Sequence, residues 1–166
     1  RSVVSGDPNN REAWASRVYF KYLLEGHTRR SESLTNGALN YGYAIFRGVI
    51  ARTLAGYGFI PALGIHHDNE LNGFNLADDF LEVYRPLVDL FVMKHIPKEG
   101  ETLTREQRAS LLGILNCDVR FQNGNYTALR SVDMMLSSFS GAVMAKNPGV
   151  LVLPELIGLH THDYES

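Results

Sequence analysis

Residues 36–54 read NGALNYGYAIFRGVIARTL, and this stretch is the most informative one for the fold class. Its apolar side chains recur at helical spacing, as Leu39, Tyr43, Phe46 and Ile50 illustrate. Further apolar residues extend around most of the circumference, which is typical of a helix at the centre of a protein. Glycines within the stretch lower its helix propensity, and we interpret them as points where neighbouring backbones pack closely. The stretch therefore predicts a central helix.

Further helices are predicted around this central one. They cover residues 7–26, 76–95, 104–116 and 131–146. In the second of these, Pro86 cannot donate a hydrogen bond to the carbonyl of Glu82, so the helix should kink or loosen at Glu82. Thr104 and Gln107 have the spacing of a capping box, which predicts that the next helix begins at Thr104.

Less regular segments connect and follow these helices. Asn123-Gly124 lies between residues 119–122 and 125–129, and this arrangement predicts a short β-hairpin. The tail from Val150 onward alternates weakly in polarity, and we expect an extended segment laid on the helical body. The predicted fold class is mainly α: a helical bundle of about five or more helices, with a short β-hairpin and an extended C-terminal tail.

The composition limits the classes of protein to which the chain can belong. Its 166 residues are 45% hydrophobic and 20% charged, which fits one globular domain over residues 1–166. A single cysteine, Cys117, excludes a disulfide framework and a cysteine-based zinc site, so we expect a reducing, cytoplasmic setting. A net charge of -2 argues against a strongly basic nucleic-acid binder, although a local basic patch or a bridging metal stays open. No apolar run has the length of a membrane span, so no membrane partner is expected.

Acidic side chains gather early in the predicted helix over residues 76–95. Asp78 and Asp79 precede Glu82 by four and three residues, so all three can share a face. One interpretation is a solvated acidic face that complements the helix dipole. The other is a metal site, because His66-His67 lies on the loop just before the helix. One imidazole with carboxylates suits Mg²⁺ or Mn²⁺.

Two further interpretations stay open at this point. Glu12 is another candidate ligand, with a first-turn carboxylate that complements its helix dipole as the alternative. His66-x-Asp68 is compatible with a two-histidine, one-carboxylate iron site of an oxygenase, although such sites typically occur on β-sandwiches and this chain is predicted to be helical.

Three stretches with fixed spacing carry a resemblance to a known family. They read SGDPNNREA (residues 5–13), NGALNYGYA (residues 36–44) and LGIHHDNELNGFNLADD (residues 63–79), the last continuing to Glu82, Arg85 and Pro86. Together they resemble the universal CRISPR-associated integrase of the spacer-acquisition complex, in the form that accompanies type II systems. The tail sequence LPEL (residues 153–156) is similar to that group as well, and the resemblance covers nearly the whole chain.

This resemblance implies a specific metal site and chemistry. The C-terminal domain of the family is a helical bundle with a Glu, a His and an acidic residue as divalent-metal ligands, which by motif correspond to Glu12, His67 and Glu82. Asp79 matches a further acidic position, which either supports these ligands or binds a second ion. With Mg²⁺ or Mn²⁺, such a site catalyses transesterification by the 3′-hydroxyl ends of short DNA, and metal-dependent cleavage of DNA.

The resemblance also implies partners. These are double-stranded DNA, branched or with 3′ overhangs, a second copy of the chain and a small adaptation partner protein. The family has an N-terminal β domain that mediates dimerisation, and this sequence starts just upstream of Glu12 without an initiator Met. We therefore expect an isolated catalytic domain, with a non-catalytic helical DNA-binding or assembly fragment as the alternative.

Overall fold

The computed structural model describes Val18 and residues 34–97, 100 and 102–163. Within these residues, five α-helices pack with a small antiparallel sheet. This arrangement confirms the predicted mainly-α fold with a short hairpin. The predicted helix over residues 7–26, and with it Glu12, lies outside the described residues. No helix in the described ranges is long and apolar enough to cross a membrane.

Helix α1 (Leu34–Gly56) is the centre of the described structure, as the sequence predicts. Phe46, Ile50 and Leu54 on this helix are completely buried. At Gly42 the backbone approaches another helix so closely that a β carbon would lie 2.5 Å from Cγ1 of Val88. Glycine here therefore permits close helix packing, as the sequence analysis expects.

The next helical segment is broken rather than continuous. Helix α2 covers Asn75–Leu81 and helix α3 covers Arg85–His95, with Pro86 in the first turn of α3. The predicted loosening at Glu82 is confirmed, but a single helix over residues 76–95 is wrong. The first turn of a helix tolerates proline, because the backbone N–H that proline lacks would have no acceptor within the helix at that position. Tyr84 fixes the break, since its ring is buried and stacks on Phe46 at 4.8 Å.

Helix α4 (Arg105–Leu112) has the predicted capping box at its start. The Thr104 hydroxyl accepts from the backbone N–H of Gln107, and the Gln107 side chain accepts from the backbone N–H of Thr104. The α-helix ends earlier than predicted, and a 3₁₀ turn (Gly113–Asn116) completes the segment.

The hairpin joins β1 (Cys117–Phe121) to β2 (Gly124–Thr127). Its two-residue turn is Gln122-Asn123, one position before the predicted Asn123-Gly124, and Gln122 has a φ of 53°. A residue at positive φ is what a tight hairpin turn demands, and here a glutamine supplies it.

The C-terminal tail forms a third strand, β3 (Glu155–Thr161), which pairs antiparallel with β1. The strand order is β2-β1-β3, so β1 lies between two strands that both follow it in the chain. The expectation of an extended tail is confirmed, but its partner is the hairpin rather than the helices alone. A hydrogen bond of 2.6 Å between Nδ1 of His162 and Oδ1 of Asp118 follows the strand.

Helix α5 (Ala128–Ala145) links the hairpin to the tail and completes the core. It begins three residues before the predicted start, because the Thr127 side chain caps it by accepting from the N–H of Arg130. Phe139 on α5 contacts the rings of Phe59 and Phe80, each at 4.8 Å between centroids. Phe59 lies just before the loop that leads into α2, and Phe80 lies on α2 itself. Packing on Phe139 therefore fixes the chain on both sides of this loop.

Candidate functional site

The loop over residues 61–74 is held together by the side chain of Asn75, the first residue of α2. Nδ2 of Asn75 donates to the carbonyl of Ala62 at 3.1 Å and to that of Asn69 at 2.9 Å. Oδ1 of Asn75 accepts from the N–H of Asn69 at 3.3 Å. Asn75 is itself buried, so these bonds satisfy its polar atoms in the interior. The loop therefore has a defined shape although it contains no helix or strand.

Gly64 allows the tightest point of this loop. A β carbon at this position would lie 2.1 Å from the carbonyl oxygen of His67 and 2.8 Å from Cβ of Asn75. Both distances are shorter than van der Waals contact, so a larger residue would displace the backbone that carries His67.

Asp79 on α2 binds the backbone of the same loop. Its Oδ2 accepts from the N–H of Ile65 at 2.5 Å and from that of His66 at 3.1 Å. Its Oδ1 accepts from the N–H of His67 at 3.0 Å and lies 2.7 Å from Nδ1 of the His67 ring. Both carboxylate oxygens are thus occupied in holding three consecutive loop residues and one imidazole.

The charge of Asp79 determines the proton position on His67. Burial raises the pKa of Asp79. Hydrogen bonds from the backbone N–H groups of Ile65 and His67, then from the His67 side chain and the His66 backbone, lower it by more than burial raises it. The net pKa of Asp79 therefore lies below its ordinary value. An ionised carboxylate can only accept, so Nδ1 of His67 carries the hydrogen. In the neutral form of the ring the lone pair is then on Nε2, and the His67 side chain is 35% exposed. This is the arrangement in which a carboxylate orients a metal-binding histidine.

Glu82 follows Asp79 by one helical turn, at the end of α2. Its Oε1 accepts from Nε of Arg85 at 2.7 Å, and its side chain is 49% exposed. Because positions three apart share a helix face, Glu82 lies on the same side of α2 as Asp79. The accessible carboxylate is compatible with metal binding.

The other acidic residues of this region have structural partners. Asp78 is buried and accepts from Nε of Arg47 at 2.8 Å and from Nδ2 of Asn72 at 2.8 Å. Asp89 is buried and accepts a short hydrogen bond from the hydroxyl of Tyr43. The interpretation of the acidic residues as one solvated face is therefore wrong for Asp78, and Asp89 on α3 is not solvated either.

The structure brings some of the predicted site residues together. His67 contacts Asp79, and Glu82 is one turn away, whereas Glu12 lies outside the described residues. In the parts of the chain that the structure describes, no three His, Cys, Asp or Glu side chains form a group able to hold a metal ion. Arg47 was not predicted, and its signal in the sequence is weak, because it is one of two arginines on a largely apolar helix.

The comparisons with known proteins agree with the sequence motifs. A family model described as "CRISPR associated protein Cas1" matches residues 12–112, which include the loop, α2 and α3. The chain belongs to the Cas1 family. This result confirms the resemblance drawn from the sequence.

Individual Cas1 proteins are similar over different shares of the chain. The CRISPR-associated endonuclease Cas1 of Neisseria meningitidis is 44% identical, over 98% of this chain and 55% of its own length. A Cas1 endonuclease of Pyrobaculum aerophilum is 33% identical, over 54% of this chain and 31% of its own. The chain thus spans about half the length of its Neisseria relative and 31% of the length of its Pyrobaculum relative.

A solved structure shares the fold of the described chain. It is a casposase bound to integration product, with a TM-score of 0.58 and 21% sequence identity. The match covers 70% of this chain and 39% of the casposase. At this identity the similarity concerns the fold.

Proposed function

We propose that this chain is the catalytic part of a Cas1 endonuclease and integrase that acts in CRISPR spacer acquisition. It would use Mg²⁺ or Mn²⁺ and act by transesterification at DNA phosphodiesters. Membership of the Cas1 family supports the general activity, and the names of its relatives include the word endonuclease. The contact between His67 and Asp79 carries the proposal of metal dependence.

The donor atoms available at the site fit a hard divalent cation. His67 offers Nε2, because its Nδ1–H is held by an ionised Asp79. Glu82 offers the carboxylate oxygen that Arg85 does not contact. Nitrogen and carboxylate donors with water suit Mg²⁺ or Mn²⁺. Glu12 is proposed as the third ligand from the family motif alone.

Each side chain has a separate role in the proposed mechanism. His67 and Glu82 bind the ion, and Asp79 orients His67 and the loop rather than binding a second ion, since both its oxygens accept hydrogen bonds from residues 65–67. A bound ion would polarise the phosphoryl oxygen and help to ionise the attacking 3′-hydroxyl or water. Asn72 and Arg47, through Asp78, hold the start of α2 so that these groups stay aligned.

The proposed partners follow from the same reaction. The casposase neighbour is bound to an integration product, which supports DNA as the substrate. The branched or 3′-overhanging double-stranded form is proposed from the family resemblance. A second copy of the chain and a small adaptation partner protein complete the proposed assembly. Both partners are proposed for a whole Cas1 protein, and this chain covers 55% of the length of the Neisseria relative.

The experiment measures both metal binding and DNA chemistry. We expect Mn²⁺ at 100 times its dissociation constant to stabilise the folded chain by about 2.7 kcal/mol, because the ion binds only the folded state. For a chain of this length, that corresponds to a rise of about 5–10 °C in melting temperature. His67→Ala and Glu82→Ala should lose this rise, and strand transfer and cleavage of branched DNA should fall at least about 100-fold.

Glu70→Gln is the matched control, because Glu70 is an exposed acidic residue on the same loop. It should keep both the Mn²⁺ effect and the activity of the parent. Cleavage by Glu82→Ala at the rate of the parent would show that the site is assigned wrongly. The alternative, a non-catalytic DNA-binding or assembly fragment, predicts no Mn²⁺ effect and DNA binding that falls steeply with salt.

A further inference from the structure

Arg85 connects the exposed Glu82 carboxylate to the buried core. Its Nε donates to Oε1 of Glu82 at 2.7 Å, and its guanidinium carbon lies 4.7 Å from the centroid of the Tyr43 ring. The Arg85 side chain is only 20% exposed, although it carries a permanent charge. Arg85 therefore contacts a candidate metal ligand on one side and α1 on the other.

The orientation of the guanidinium is set from the core side. Tyr43 is buried, and its hydroxyl donates to the buried Asp89, so the ring cannot move easily. Nη1 of Arg85 is also buried, and it has no hydrogen-bond partner among the described residues. An unpaired buried donor has a free-energy cost, which the stacking on Tyr43 and the bond to Glu82 must offset. The position of the guanidinium is thus fixed from two sides although its donors are only partly used.

This orientation leaves one Glu82 oxygen available. Arginine commonly binds a carboxylate in a bidentate manner, with two parallel N–H···O hydrogen bonds that occupy both oxygens. Here the bond is from Nε to Oε1, and within the described residues no other side chain donates to the Glu82 carboxylate. An unrestrained glutamate that is 49% exposed at a helix end would sample many rotamers, and ordering it opposes metal binding.

We propose that Arg85 is a positioning residue for metal binding: it holds Oε1 of Glu82 and thereby presents the second oxygen to a divalent cation. The inference rests on the proposed function and deepens it. Arg85 acts through Glu82 and does not contact the ion. The gain from preordering Glu82 exceeds the repulsion between guanidinium and cation, so loss of Arg85 weakens binding.

The experiment is a double-mutant cycle on Mn²⁺ affinity, without DNA. Electron paramagnetic resonance of free Mn²⁺ is used to titrate the full chain as the parent, Arg85→Gln, Glu82→Gln and the double variant. We expect Arg85→Gln to weaken binding about tenfold in the parent background. In the Glu82→Gln background the same change should alter the dissociation constant less than twofold, because the oxygen that Arg85 positions is gone.

Two further variants separate positioning from charge and from folding. Arg130→Gln is the matched control, since Arg130 also pairs with an acidic residue three positions away, Asp133, at 2.8 Å on an exposed face. It should leave Mn²⁺ binding unchanged. Arg85→Lys keeps the charge without the guanidinium and its Nε–H donor, and it should give an intermediate affinity; it also serves if Arg85→Gln does not fold.

The outcomes distinguish the proposal from the function on which it rests. If Glu82→Gln weakens binding but Arg85→Gln binds Mn²⁺ as tightly as the parent or more tightly, the role of Arg85 is overturned and the metal site stands. An equal loss in both backgrounds means that Arg85 acts through the fold, which also overturns the role. If the parent and Glu82→Gln bind Mn²⁺ equally, the proposed metal site is wrong, and the role of Arg85 with it.

Discussion

Replacing Asp79 with asparagine should destabilise the loop that carries His67. Asparagine has nearly the same shape, but it exchanges one acceptor oxygen for an NH₂ donor. With the NH₂ group in place of Oδ2, the bonds from the N–H groups of Ile65 and His66 are lost. With the NH₂ group in place of Oδ1, the bond from the His67 N–H is lost, and the contact with Nδ1 is kept only if the ring changes its tautomer. The new NH₂ group then faces N–H donors, so the change adds repulsion to the lost bonds.

The expected size follows from the number and kind of these contacts. A hydrogen bond to an ionised group contributes about 1.5–3 kcal/mol, and the Asp79 side chain is only 10% exposed, so solvent screening is modest. Because asparagine keeps one oxygen, we expect a net loss of about 2–3 kcal/mol in the free energy of unfolding. This corresponds to a fall in melting temperature of about 5–10 °C for a chain of this length.

The assay combines urea unfolding with amide hydrogen exchange at residues 65–67. Asp79→Asn should lower the unfolding midpoint and increase exchange at the three amides that Asp79 binds. Asp133→Asn is the control, because that carboxylate is 45% exposed and its contacts with Arg130 and the Tyr57 hydroxyl both lie on an exposed surface. It should change the free energy of unfolding by less than about 0.5 kcal/mol.

The effect of Asp79→Asn should depend on pH in one direction. The folded-state pKa of Asp79 is below its unfolded value, so its carboxylate stabilises the fold fully above about pH 4. This contribution is lost as the pH falls through the folded-state pKa, and the difference between parent and variant should therefore shrink in acid. Equal midpoints at pH 7, or unchanged exchange at residues 65–67, would refute the reasoning.

Three other substitutions test the packing and capping that support the site. Gly42→Ala should destabilise the chain by about 1–3 kcal/mol in urea unfolding, because its methyl would overlap α3, whereas Gly48→Ala has open space and should be neutral or stabilising by up to about 1 kcal/mol; equal effects would contradict the packing. Gly64→Ala should displace the His67 backbone and reduce the rise in melting temperature that Mn²⁺ causes. A β carbon at Gly73 would meet no atom within 4 Å, so Gly73→Ala should have the melting temperature and the Mn²⁺ affinity of the parent. Thr104→Ala removes the capping box and should cost about 1 kcal/mol by chemical denaturation, and an unchanged midpoint would show that α4 does not depend on its cap.

Local signals in the sequence were sufficient for three features of the described helices. The start of α4 follows from two residues three positions apart, which interact whatever the rest of the chain does. The break near Glu82 follows from the missing N–H of Pro86. The central position of α1 follows from apolar residues on most of its faces. Each of these features depends on neighbours along the chain.

The features that sequence analysis missed depend on distant partners. In the sequence, Asp78 and Asp89 cannot be told apart from solvent-exposed aspartates. In the structure, Asp78 pairs with Arg47, which is 31 residues away on α1, and Asp89 accepts from the hydroxyl of Tyr43, which is 46 residues away on α1. The tail became a strand only because β1 offers it a pairing edge, since its own pattern of exposure is weak. For the proposed site, the motif predicts His67, Asp79 and Glu82, while the contact between Asp79 and the His67 ring and the proposed role of Arg85 depend on the three-dimensional structure.

The position of β1 between β2 and β3 has a consequence for the order in which the protein can be built. A chain synthesised from its N-terminus forms the hairpin early, but the other edge of β1 has no partner until residues 155–161 have been made and have passed around α5. During that interval β1 presents unpaired backbone groups, which are a template for pairing with another nascent chain. Translation speed through α5 would then set how long the unfinished sheet is open to aggregation.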